Sequence, residues 1–152
     1  YIYNLIQKEM KKISLIFMTL MLFSFVTNAQ TKRTVGEKFG GGVVISVAAD
    51  GLTGVIAETQ DQGVCDWDAI NALIANPASH SEKGKAFNNW RLPTREELAL
   101  MYAQKKALGI SGGNYWSSTT GKGRVSTQNF ATGKVTVIAK TEKNAIRSVR
   151  NF

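Results

Sequence analysis

Apolar and polar positions change period several times along the chain, and each change marks an element. Ile13 to Val26 is an unbroken apolar run behind Lys11 and Lys12, shorter than the roughly 20 residues needed to cross a bilayer. With Met10 before it and the small residues Thr27-Asn28-Ala29 after it, the run predicts a signal peptide over 10–29, cleaved ahead of Gln30. Residues 1–9 then read as upstream translated sequence and residues 30–38, polar throughout most of their length, as a flexible lead-in. Val43 to Val47 and Leu52 to Ala57 are β-branched runs separated by Ala48-Ala49-Asp50-Gly51, and Asp-Gly between such runs predicts a β-hairpin.

Helical spacing follows. Trp67, Ile70, Leu73 and Ile74 recur on one face behind Asp66, a good cap, and Asn76-Pro77 ends the pattern. Ala78 to Asn89 reads as loop. Thr94 and Glu97 then form an S/T-x-x-E capping box, Leu98, Met101 and Tyr102 make an apolar stripe, and Gly109 is the expected terminator. Glu96 and Glu97 suit the positive end of that helix, so they are not read as a catalytic carboxylate pair. Period two returns at Tyr115 to Thr119, Val125 to Phe130 and Val135 to Lys140, and a final run, Ala145 to Phe152, closes the chain. In it Arg147 shares a face with Val149, and Arg150 shares one with Ile146 and Phe152. At least one arginine is therefore expected inside, paired with a carboxylate, a carbonyl or an aromatic face. The predicted fold class is α+β over residues 39–152: two short helices packed on a small, mostly antiparallel sheet, with a long irregular loop region.

Composition narrows the chemistry. Beyond residue 29 the chain has the size of one domain with one core. Cys65 is the only cysteine, so no internal disulfide forms, and a buried, inert thiol is expected. With one cysteine and one histidine the sequence offers neither a Cys/His metal cluster nor a Cys–His nucleophile. His80 falls in the predicted loop with no visible partner and reads as solvent-facing. Gly40-Gly41-Gly42 lacks the later glycine of a dinucleotide loop, Gly121-Lys122 has Gly123 where a phosphate loop needs Ser or Thr, and Ser117-Ser118 has no G-x-S-x-G frame. Both glycine motifs read as turns. No catalytic residue, metal ligand or cofactor is assigned.

Charge is uneven within the net +8. Gln30 to Gln104 carries seven Lys/Arg against nine Asp/Glu, whereas Lys105 to Phe152 carries nine against Glu142 alone. Such a field draws sulfated or uronic-acid glycans, lipopolysaccharide, anionic lipid or nucleic acid; solvated surface lysines are the plainer alternative.

Three blocks remain: WRLPTREEL (Trp90 to Leu98), YWSST (Tyr115 to Thr119) and IRSVRNF (Ile146 to Phe152). In this order they resemble the Lcl C-terminal domain family, named for the end of a bacterial collagen-like adhesin and otherwise a domain of unknown function. The resemblance runs from about Gly36 to Phe152 and implies a C-type-lectin-like fold. Trp90, Leu92, Pro93, Thr94, Glu97, Tyr115, Trp116, Ser117, Ser118, Arg147 and Arg150 match the family pattern and are expected to define the fold rather than touch a ligand. Many members are rich in Tyr, Trp and Asn between the second and third blocks. This chain instead has Lys122, Arg124, Gln128, Asn129, Lys134 and Lys140 there, which puts an aromatic sugar platform in doubt. With Asn114 these make the candidate ligand surface, and Lys134, Thr136, Ile138 and Lys140 would share one strand face. The chain has no clustered acidic and Asn triplet of the calcium-dependent lectins.

The expected function is non-enzymatic recognition by an exported domain, periplasmic, cell-surface or extracellular, with no transmembrane anchor after cleavage. Its expected ligand is an acidic polysaccharide or a surface protein rather than a specific nucleic acid. An accessory to an envelope-glycan enzyme, or a structural envelope protein held by its basic face, are the alternatives. The related formylglycine-generating enzymes use a pair of cysteines, which this chain lacks.

Overall fold

Strand β2 (Gly42–Val47) is apolar without alternation because both of its faces are covered. Val43 and Ile45 join one core with Ala57, Leu98, Met101, Tyr115, Phe130 and Val149. Val44 joins another with Ile56 and Trp90, flanked by Phe39, Phe87 and Phe152. The computed structural model that shows this describes residues 2–7, 9–10 and 30–152. The chain divides into a unit ending at Gln30 and a second, Thr31–Phe152. In the first, residues 2–7 and 9–10 are helical; apart from Met10, the signal peptide predicted over 10–29 lies outside the described residues. Among the described residues no helix is long and apolar enough to cross a membrane.

In the second unit, β1 (Lys38–Phe39), β2, β3 (Gly54–Glu58) and β9 (Val149–Asn151) form one sheet in the order β1-β2-β3-β9, every pair antiparallel. The other sheet has the order β4-β8-β5-β6-β7, from β4 (Gly63–Cys65), β8 (Asn144–Ile146), β5 (Asn114–Gly121), β6 (Arg124–Asn129) and β7 (Val135–Ala139). All its pairs are antiparallel except β5 with β8. A small α+β fold is thus present, but the strands divide between two sheets rather than one. The closing run divides with them: its first half pairs with β4 and β5, its second with β3, and Arg147-Ser148 makes the step between.

Both arginines of that run are buried, at 4% and 6% exposure, which explains its broken alternation. The Nε of Arg147 donates to Asp61 at 2.6 Å, and its guanidinium also reaches the carbonyls of Glu58 and Leu108. Arg150 donates to the Gly40 carbonyl from two nitrogens and lies 3.6 Å over the Phe87 ring. Burial holds the Arg150 guanidinium below its ordinary pKa, opposed by the Glu58 charge.

The hairpin forms, but its loop is Ala48–Thr53, longer than a two-residue turn, with Gly51 at φ 77°. Gly40 and Gly41 make the tighter turn: they alone separate the paired Phe39 and Gly42, and both have positive φ, 53° and 87°. A Cβ on Gly41 would also come within 2.9 Å of the Gly84 Cα. The residues read as a flexible lead-in are partly docked: Arg33 and Gly36 donate backbone bonds to Gly51 and Val44, and Lys38 is already in β1.

Asp66 caps a 3-10 turn (Trp67–Ala69) that runs into α1 (Ile70–Ala75), and residues 77–79 and 84–86 of the loop form further 3-10 turns. Helix α2 (Arg95–Ala103) starts at the full Thr94/Glu97 capping box. It ends sooner than predicted, at Gln104, and the chain turns through residues 104–109 to Gly109 at φ 68°. Arg91 grips Glu97 with both forks, at 2.7 and 2.6 Å. Burial pushes the Glu97 carboxyl up, but this grip and the Thr94 N–H outweigh it and hold the carboxyl below its ordinary range.

His80 is the main departure from the sequence reading, being 7% exposed rather than solvent-facing. Its Nε2 lies 2.8 Å from the Ile74 carbonyl and so carries hydrogen, while Nδ1 lies 3.2 Å from the fully buried Glu58 carboxyl. Glu58 also accepts from Ser81 Oγ at 2.6 Å and from the Thr59 N–H, and the His80 ring stacks on Trp90. The loop is thus fastened across the first sheet. Glutamate at a strand end gives no hint of this, because its partners lie 22 and 23 residues away.

Candidate functional site

The β5–β6–β7 layer carries the predicted ligand surface, and a bulge in β5 shapes it. Trp116 pairs with Thr127 and Thr120 with Val125, so β5 spends more residues than β6 over the same stretch. Ser117 to Thr119 are thereby pushed toward the start of α2, where the Ser118 N–H donates to the Pro93 carbonyl and Thr119 Oγ1 accepts from the Arg95 N–H. Beyond the bulge, Lys122 and Gly123 alone separate the paired Gly121 and Arg124. Both have positive φ, 50° and 74°, and Lys122 is the single non-glycine residue in that region among those described. A side chain there costs about 1 kcal/mol.

The seven candidate ligand residues separate into two groups. Lys122, Arg124, Lys134 and Lys140 are exposed, and none joins an ion pair among the described residues. Arg124 also donates to the Val137 carbonyl at 2.8 Å, on the outermost strand of the sheet, and Lys140 lies 5.4 Å over the Trp67 ring. Asn114, Gln128 and Asn129 are hydrogen-bonded within the fold. Asn129 Oδ1 accepts the N–H groups of Ala131 and Thr132, holding the β6–β7 turn, and its amide donates to Asn114 Oδ1. Gln128 is 5% exposed and donates to the Gly133 carbonyl.

The shared strand face also needs correction. Thr136 and Ile138 are half-buried, Ile138 against the core of Trp116, Val125 and Ile146, while Val135, Val137 and Ala139 face outward. Lys134 and Lys140 sit just past the two ends of β7, so the outer face of the strand is apolar with a lysine at each end.

Between the start of α2 and this face lies a groove of about 350 Å³, lined by Arg95, Thr119, Thr120, Gly121, Lys122, Ser126 and Val137. Sequence reasoning missed Arg95. The signal was there: a cation at the first helical position opposes the helix dipole, so fold stability does not ask for it. A second cleft, of about 360 Å³, lies over the Gly40-Gly41 turn, with Lys38, Thr59, Ser81 and Lys83 around it.

The residues of the three sequence blocks take the following places. Trp90 donates to the Gly84 carbonyl, fully buried Trp116 donates to the Cys65 carbonyl, and Pro93 and Tyr115 are buried. Leu92 packs on the Trp116 core. Ser117 Oγ donates to the Ser126 carbonyl, but Ser118 is exposed and contributes its backbone rather than its hydroxyl. The Tyr115 hydroxyl donates to Asp61; burial first, then the Asp61 charge, pushes its pKa up to about 12. Cys65 is buried, and burial followed by the Asp66 charge raises its thiol. Glu58, His80 and Ser81 are an acid, a base and a hydroxyl in contact. Ser81, however, donates to the carboxyl and not to the imidazole, both of whose nitrogens are engaged, so the set works as a loop clamp.

These features define a small two-sheet α+β domain with an unpaired basic face. The Lcl C-terminal domain family model matches residues 46–150, and the chain belongs to that family. No curated protein matches it.

Proposed function

We propose that this is a non-enzymatic binding domain, C-type-lectin-like and exported from the cytoplasm, that recognises an acidic polysaccharide or an acidic surface partner through the β5–β6–β7 face. The observation that carries this reading is that Lys122, Arg124, Lys134 and Lys140, at the turns and strand ends of the β5–β6–β7 layer, are exposed and that none of them joins an ion pair among the described residues. Exposed cations without carboxylate partners attract a polyanion and gain from contact with it. The Lys11-Lys12, apolar run and Ala29 pattern supports export.

Heparin and alginate retention tests the face. Lys122→Glu/Arg124→Glu should elute several-fold earlier in salt while keeping its thermal melt, if each contact contributes about 0.5–1 kcal/mol. Lys83→Glu/Lys85→Glu is the charge-matched control away from β5–β7. Equal losses in both double variants would reduce the effect to net charge, and no loss in the first would remove this face. An intact mass beginning at Gln30 in protein recovered from outside the cytoplasm supports export, and a retained Met10 segment sinks it.

A further inference from the structure

We propose that the groove between the start of α2 and the β5–β7 face binds a single tetrahedral oxyanion, carried on a larger ligand as a sulfate ester or a phosphate monoester. This rests on the reading of the basic face as the ligand surface and narrows it to one subsite. Of the seven residues lining the groove, two are cations, Arg95 from α2 and Lys122 from the hairpin tip, and none is acidic. Neither cation joins an ion pair among the described residues.

The hydroxyls are arranged for an acceptor. Thr119 Oγ1 accepts from the Arg95 N–H at 3.0 Å, which leaves its own hydrogen free to be donated. Ser126 belongs to the groove wall and is 5% exposed, yet its hydroxyl has no partner among the described residues, although its carbonyl is taken by Ser117 Oγ at 2.7 Å. A buried hydroxyl without a partner is uncommon and is satisfied when a ligand supplies an acceptor. Val137 stands directly opposite Ser126 in the β6–β7 register, so an apolar wall lies beside the hydroxyl. Donors reach the groove from α2, from the hairpin and from β6. A planar carboxylate is best matched by one guanidinium fork, whereas donors from three separate elements suit an anion with oxygens in three directions.

The test titrates the purified ¹⁵N-labelled protein with inorganic sulfate, with inorganic phosphate and with acetate, following backbone amides. Sulfate or phosphate should shift Thr119, Thr120, Lys122 and Ser126 together and saturably, acetate more weakly. Glucose 6-sulfate and glucose 6-phosphate then distinguish the two sources by which binds tighter. Arg95→Gln and Ser126→Ala should each weaken the oxyanion about threefold or more. Ser126→Ala should leave the melting temperature unchanged or higher, since it removes an unpartnered hydroxyl; a merely structural serine would not lose binding while keeping stability. Shifts that never saturate, or that spread over all surface lysines, overturn the groove, as does Ser126→Ala binding like the parent protein. The two readings separate cleanly. Saturable oxyanion binding in a protein that ignores heparin upholds the groove and overturns the polysaccharide reading. Heparin binding lost in Lys122→Glu/Arg124→Glu without any saturable shift does the reverse.

Discussion

The Glu58–His80 contact predicts a strong thermodynamic coupling between a β-strand and a distant loop. Glu58 is completely buried and its carboxyl meets His80 Nδ1, Ser81 Oγ and the Thr59 N–H. Replacing one member of such a pair leaves the other buried against a wrong partner and costs about 3–5 kcal/mol. Glu58→Gln keeps one acceptor for Ser81 and Thr59, which puts it near the lower end, about 3 kcal/mol. His80→Gln also loses the stacking on Trp90, about 0.5–1 kcal/mol. That loss recurs in the double variant and cancels from the cycle. The double variant sets two neutral amides side by side and should cost less than the sum of the singles by about 1.5–3 kcal/mol. Urea unfolding reads this directly: with a slope of about 1.5 kcal/mol per molar, the first single variant moves the midpoint by about 2 M. A total stability of about 5–15 kcal/mol leaves the singles folded enough to measure. Additive singles, with a coupling below about 0.5 kcal/mol, would show that the loop is held by packing on Trp90 and not by the buried pair.

Three further outcomes follow from the same geometry. Trp116→Ala, at a fully buried ring whose N–H satisfies the Cys65 carbonyl, should cost about 3–5 kcal/mol and lower the melting temperature or abolish soluble expression; normal folding with lost binding would contradict its place in the core. Tyr115, with its pKa raised from 10.0 to about 12, keeps its proton in the folded state after the unfolded chain has lost it. Stability is therefore fully present below pH 10 and falls between pH 10 and 12, by roughly 2–3 kcal/mol, and Tyr115→Phe should remove that fall in alkaline melts. Lys122→Asn relieves the left-handed backbone at the hairpin tip and should raise stability by about 0.5–1 kcal/mol while weakening polyanion retention; a drop in stability would mean the lysine side chain holds the hairpin.

Local chemistry was the legible part of this chain. The Thr94/Glu97 box, the Asp66 cap, the Asp50-Gly51 turn and the three strands after Tyr115 are set by neighbours a few residues apart, and the structure has each of them. Long-range partners were illegible. The apolar period of β2 shows that both faces are buried but not which sheet covers which, and the closing run does not show that it changes sheets at Arg147. The same limit hid the His80 clamp, and it hid Arg95, whose groove exists because a bulge more than twenty residues later leans on the start of α2. Gln128 and Asn129 illustrate a related limit: a polar residue on a strand looks available in sequence, while in the fold the turn beside it engages its side chain.

The count of nine cations from Lys105 onward likewise overstates what a ligand can feel. Of the nine, Arg147 and Arg150 are interior, and Lys105 donates to the Phe130 carbonyl beside the Tyr102 ring. Arg124 also serves the Val137 carbonyl, and Lys140 rests on Trp67. Lys122 and Lys134, joined by Arg95 from before that segment, are exposed cations at the β5–β7 layer whose side chains join no hydrogen bond, ion pair or ring contact among the described residues. A surface with so few uncommitted charges gives a shallow dependence on salt, because each ionic contact displaces its own share of counterions. If the face binds anions as proposed, discrimination between them would come from the groove, where Ser126 and Thr119 add direction to the charge of Arg95 and Lys122. On the proposed reading, charge would bring a polyanion to this face, and hydroxyl geometry would decide which anionic group stays.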